Sequence, residues 1–111
     1  MTDKIVVLST CSSAEEGEKI ARALLERKLA ACVNIVAGAR SIYRWKGQVE
    51  EATEWLLIIK SRRPLFDALR AALEAAHSYE VPEVLALHVL EGSPGYLDWL
   101  DHETALEGHP G

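Results

Sequence analysis

Hydrophobic positions along the chain follow two periods. Ile5 to Leu8 are four consecutive apolar residues, so Lys4 to Thr10 reads as a strand buried on both faces. Ser12 and Ser13 stand three residues ahead of Glu15 and Glu16, the spacing of a capping box, and open a helix that runs to about Lys28. Its apolar side carries Ala14, Gly17, Ile20, Ala21, Leu24 and Leu25. Glu15, Glu18, Lys19, Arg22 and Glu26 fall on the other side, the pattern of a helix lying on a sheet. A second strand is predicted from Ala31 through "CVNIVAGARSIYRW". A tight "KG" turn follows, and "QVEEATEWLLIIKS" returns antiparallel. Pro64 suits the first turn of a second helix, with Leu65, Phe66, Leu69, Leu73 and Ala76 as its buried stripe. "EVLALHV" is the last full strand, and "YLDWLDHETAL" forms a short helix ahead of a frayed "EGHPG" tail.

The order strand, helix, strand, then strand, helix, strand predicts an α+β fold. It is a ferredoxin-like split βαβ sandwich, with both helices on one face of a four-stranded antiparallel sheet. At 111 residues the chain is one domain over 1–111, with flexible ends at about 1–3 and 107–111.

Two features of the pattern point to self-association. Ala31 to Trp45 as an extended strand spans roughly 50 Å, whereas a domain of this size has a diameter of only about 35 Å. The hairpin tip, carrying Ile42, Tyr43, Trp45 and Val49, therefore projects beyond its own subunit. Two helices can also cover only one face of a sheet whose strands are apolar on both, so the second face must meet another surface.

Composition narrows the function. Hydrophobic residues make up 49% of the chain, and the formal net charge is -5. An acidic chain with only Arg40, Arg44 and Lys46 on its arm lacks the basic face that nucleic acid demands. The apolar runs are too short to span a membrane. No secretory h-region is legible after Lys4, so the expected compartment is the cytoplasm, with Cys11 and Cys32 reduced. Cys32, between Ala31 and Val33, reads as core. His102 and His109 read as surface or tail residues.

The stretches "LAACVNIV", "SIYRWKGQVEEATEWLLIIKS" and "HSYEVPEVLAL…GSPGYLDWL" resemble the CutA divalent-cation-tolerance family, collinearly over about residues 4 to 100. The resemblance implies a ferredoxin-like fold, a homotrimer with exchanged hairpin arms, binding of copper or another divalent metal, and a part in metal tolerance. It also implies a likeness to the trimer of the PII signal-transduction proteins. The family's H-x-Y-x-x-P-E is met by His77, Tyr79, Pro82 and Glu83. Its Y-x-W-x-G is met by Tyr43, Trp45 and Gly47, and its basic residue after the third strand by Lys60. Ser78 stands where the family often has proline, and His88 where an apolar residue or proline is usual. A cysteine proposed as a copper ligand in some members falls at Ser9, two residues before Cys11.

Two functional readings result. In the first, His77 with Cys11 as second ligand binds Cu(II) or another divalent metal, since imidazole and thiolate suit copper. In the second, a PII-like regulatory trimer holds a small anionic metabolite in clefts between subunits, beside Lys60, Tyr79, Glu83 and the arm aromatics Tyr43 and Trp45. His77 has a purely structural alternative, a cationic cap on the end of its helix. Glu50, Glu51 and Glu54 read as a solvated edge that discourages aggregation. Nothing in the residue order assembles a nucleophile with a base, so binding rather than turnover is expected, and no enzyme.

Overall fold

A computed structural model describes residues 2–104 and has the expected order. Strand β1 (Lys4–Cys11) leads to helix α1 (Ala14–Glu26), then β2 (Cys32–Trp45) and β3 (Gln48–Arg62). A 3-10 turn at Arg63–Leu65 opens α2 (Phe66–Ala76), followed by β4 (Leu85–His88) and α3 (Pro94–Glu103). The sheet is antiparallel in the order β2-β3-β1-β4.

Local chemistry sets the boundaries. Ser13 caps α1, its Oγ accepting from the Glu16 amide at 3.0 Å, while Glu16 Oε1 accepts from the Ser12 amide and hydroxyl. The capping box therefore forms with its return bond moved out by one residue. Lys46 (φ 49) and Gly47 (φ 82) make the two-residue turn, joining Trp45 to Gln48. Ala37 and Gly38 together oppose Trp55 in a bulge between the Val36 and Ala39 pairings, and Gly38 supplies φ 83 there. Beyond that bulge the hairpin leaves the body of the domain, whose long axis reaches 48 Å. Ile42 and Val49 near the tip are 66% and 65% exposed.

Strand parity sorts the sheet into two faces. Ile5, Val7, Cys11, Leu57 and Ile59 pack with Ile20, Leu24, Leu65, Leu69 and Leu73 of the helical layer. Trp55 packs against this same core. The alternate row, Val6, Leu8, Leu56, Ile58, Leu85 and Leu87, forms the opposite face. Leu85 and Leu87 are 57% and 53% exposed there.

One end of that second face is covered, which the sequence reading did not anticipate. Lys4 and Arg62 project from the open-face row, and α3 docks on them. Lys4 Nζ lies 2.8 Å from Asp101 Oδ1 and 2.7 Å from Asp3 Oδ1, and Arg62 donates to Asp101 and to the Thr104 carbonyl. Leu100 is buried beneath. The two helices on one face are thus joined by a third at an end of the other. The N-terminal end, expected to be flexible, is tied at Thr2 and Asp3, whose Oγ1 and carbonyl meet the Val89 carbonyl and the Arg63 amide. The predicted last strand is shorter than "EVLALHV", only Leu85–His88. The "EGHPG" tail and His109 lie outside the described residues.

Candidate functional site

The loop from His77 to Val84 wraps past the end of β1 and builds a polar cluster at the foot of the arm. Helix α2 ends at Ala76, well before Pro82, because His77 turns to an extended conformation (φ -89, ψ 145). Its ring is fully buried. Nε2 lies 2.7 Å from the Thr10 carbonyl, and Nδ1 accepts from the Tyr79 amide at 3.0 Å. A carbonyl can only accept and an amide can only donate, so the ring is neutral with its proton on Nε2. The cationic helix cap read from the sequence does not form, since the ring turns away from the last-turn carbonyls.

Glu16 anchors the same loop. Its Oε2 accepts from the Ser78 amide at 2.7 Å, and its Oε1 accepts from Ser12. Burial opposes ionisation of this carboxyl, but the hydrogen bonds from Ser78 and Ser12 outweigh it and bring its pKa down to about 2. The Tyr79 ring packs against His77 at 4.6 Å between centroids, tilted by 51°, and its hydroxyl donates to Glu54 Oε2 at 2.5 Å. Burial and that carboxylate push the phenol pKa upward, so Tyr79 remains a donor. Glu54 is 6% exposed. It is a buried anchor, unlike the solvated edge expected of the glutamates on this strand, whereas Glu51 pairs with Arg40 at the surface.

Tyr79 and Glu54 line a cleft of about 390 Å³ between the arm and the loop. Thr10, Ser41, Tyr43, Trp45 and Glu54 form the sheet side, and Tyr79, Glu80, Val81 and Glu83 the loop side. Four of the residues read from the sequence, Tyr43, Trp45, Tyr79 and Glu83, therefore meet. Lys60 does not join them within one chain. It lies six residues along β3 from Glu54, roughly 20 Å at 3.3 Å per residue, beside Asn34 Oδ1 and 3.9 Å from Cys32 Sγ. Cys11 is close in sequence but turned away. Thr10 faces the cleft, while Cys11 is fully buried on the helical side with its thiol directed at the Ser13 carbonyl. Burial, with Glu16 and Glu54 nearby, raises its pKa and keeps it a thiol. Ser9, in the same strand row as Cys11, is equally buried. Among the described residues, no three of His, Cys, Asp and Glu stand close enough together to enclose a metal ion.

Glu16, Glu54 and Glu80 are the charged site residues that sequence reasoning missed. For Glu54 a signal existed: it shares the period-2 row of Leu56 and Ile58, where a carboxylate needs a partner. If His77 locks the loop as described, His77→Leu, which offers neither a donor to Thr10 nor an acceptor to Tyr79, is expected to cost roughly 1–3 kcal/mol in a urea melt. Amide exchange at Tyr79 should accelerate with it. Unchanged stability would show the two ring bonds to be dispensable.

Sequence and structure comparisons agree on the relationship. The family described as CutA1 divalent ion tolerance protein matches residues 5–103. The divalent-cation tolerance protein CutA of Thermus thermophilus is 50% identical over 99 residues, covering 89% of this chain and 96% of that protein. Protein CutA, chloroplastic, of Arabidopsis thaliana is 48% identical over 100 residues, 90% of this chain. The present chain spans only 55% of that plant protein's length. A solved structure of the Thermus thermophilus divalent cation tolerance protein superposes with a TM-score of 0.89 at 49% identity, over 92% of this chain and 99% of the other.

Proposed function

Since the chain belongs to the CutA divalent-cation-tolerance family, we propose that it works as a homotrimer that binds cations and turns nothing over. The cleft at the foot of the arm is then the binding site. The observation that carries this reading is the cleft's lining. Among the described residues, three carboxylates (Glu54, Glu80, Glu83) and three aromatics (Tyr43, Trp45, Tyr79) share it with no Lys, Arg or His. Such a lining attracts positive charge and repels an anion, which favours a cation over the anionic metabolite of the PII-like alternative.

Copper held by His77 and Cys11 is the finer form of the reading, and it has a definite requirement. Ligation through Nδ1 would cost the imidazole its bond from the Tyr79 amide, and the thiol would have to ionise against burial. The cleft carboxylates need no such rearrangement. They do not form a closed cage within one chain, so ligation completed between copies, and therefore exchangeable, fits them better.

Calorimetric titration with Cu(II) and with Mn(II) tests this. Glu83→Gln is expected to weaken uptake by about tenfold, the loss of one charged ligand, with Lys60→Met leaving it at least as strong. Uptake abolished by Cys11→Ser but indifferent to Glu83 would transfer the site to the thiol. A specific shift with organic phosphates and none with metals would favour the anionic alternative.

A further inference from the structure

We propose that α3 is a strap that opens on its own while the rest of the domain stays folded. A charge clasp, rather than apolar packing, holds it shut over one end of the open sheet face.

The helix brings little stability of its own. It has 10 residues, and helices shorter than about 12–15 residues are marginal in water without tertiary support. Ser93 stands at its N-cap without a side-chain bond to the first turn, and Gly95 lies within that turn, where glycine is a poor helix former. Apolar support is thin as well. Leu100 is the one buried side chain of α3, while Tyr96 and Trp99 are 44% and 41% exposed. No residue of α3 joins the core cluster that fixes α1 and α2. The connection from Leu90 to Ser93 is exposed and has no regular structure, so it can swing without disturbing β4.

What remains is charge. Asp101 Oδ1 lies 2.8 Å from Lys4 Nζ and 3.3 Å from Arg62 Nη1, and Arg62 Nη2 donates to the Thr104 carbonyl at 3.1 Å. The two cations are bedded in the sheet, their side chains 9% and 13% exposed, whereas that of Asp101 is 43% exposed. Two properties make this clasp releasable. Asp3 stands against the same cations, 2.7 Å from Lys4 and 3.7 Å from Arg62, and it belongs to the body of the domain. When α3 lifts, neither cation is stranded without a counter-charge, so the heavy penalty for an unpaired buried ion is avoided. Arg62 Nε, in turn, is buried and meets no acceptor among the described residues. Docking α3 over Arg62 keeps that donor dry, and lifting it admits water. Closed and open states therefore differ by less than the stability of the whole fold, and salt reaches the attraction between them through the exposed side of Asp101. Opening bares Lys4, Arg62 and the seat of Leu100.

Hydrogen exchange on the whole chain tests this, with the amides of Leu97 to Thr104 read against Leu57 and Ile59 at the sheet centre. In the parent, α3 should exchange at least about 100-fold faster than the centre. It should quicken by about threefold or more when NaCl rises from about 0.05 M to about 1 M, where the screening length falls to about 3 Å. Asp101→Asn keeps the shape and removes the charge. It should quicken α3 by at least about tenfold at low salt, leave Leu57 and Ile59 unchanged, and lose most of the salt response. An α3 that exchanges in step with the sheet centre would overturn independent opening. A helix that opens first but ignores both salt and Asp101→Asn would overturn the clasp. Protection of α3 that rises with protein concentration would mean that a second copy holds it down, and would overturn the strap as a device of the single chain.

Discussion

Replacing Ile58 by Asp is expected to convert the proposed homotrimer into folded monomers. Ile58 stands in the middle of the sheet, paired with Leu8 on β1 and Asn34 on β2, and it points to the face away from α1 and α2. In the single chain that position keeps some contact with water, so a carboxylate there costs the monomer little. Any surface that covers the face must meet it. A carboxylate buried between subunits without a partner would then weaken association by at least 100-fold, or about 3 kcal/mol. Light scattering should give a trimer for the parent and a monomer for the variant, with similar circular dichroism. The melting point offers a second readout. Burial of the open face, at roughly 25 cal/mol per Å², should make the parent's melting temperature rise with protein concentration, and the variant should melt lower and independently of concentration. An Ile58→Asp protein that assembles normally would remove the open face from the interface.

Much of this architecture was legible in advance because its signals are local. The capping serines ahead of Glu16, the "KG" turn and Pro64 each mark a boundary through the conformation of one or two residues. The excess length of the arm follows from counting residues against 3.3 Å. What the pattern concealed depends on contacts between distant segments. Helix α3 lies under the sheet because Asp101 meets Lys4 and Arg62, and nothing around residue 101 announces that. Four consecutive apolar residues in β1 identify a strand but conceal which row faces the helices, and Cys11 and Thr10 take opposite roles on that parity. The site was half legible. Tyr43, Trp45, Tyr79 and Glu83 do converge, whereas Lys60 sits too far along β3. Glu16 read as an ordinary capping residue, and its second role appears only when the loop after α2 folds back onto it.

That second role gives Glu16 a pH signature that separates it from the other carboxylates. Its folded-state pKa is about 2, against an ordinary value of 4.5. Between those values the unfolded chain binds the proton more readily than the folded one. The group's contribution to stability is therefore complete above about pH 4.5 and is lost as the pH falls towards 2. At 11% side-chain exposure the carboxylate is modestly screened, and its contribution is on the order of 1–3 kcal/mol. Glu16→Gln should lose that amount at pH 7, and the gap between variant and parent should close in urea melts run at pH 4 and then at 2.5. Asp101 is also held below its usual range, by its hydrogen bond to Lys4 and by Arg62. Both proteins should therefore weaken in acid, and only their difference reports on Glu16. Because Glu16 secures the Ser78 amide directly and the cleft wall through it, amide exchange at Ser78 and Tyr79 should quicken in the variant at neutral pH while the core strands stay protected. A difference between the two proteins that is the same at pH 7 and pH 2.5 would mean that Glu16 acts through shape alone, and that its charge does not hold the loop.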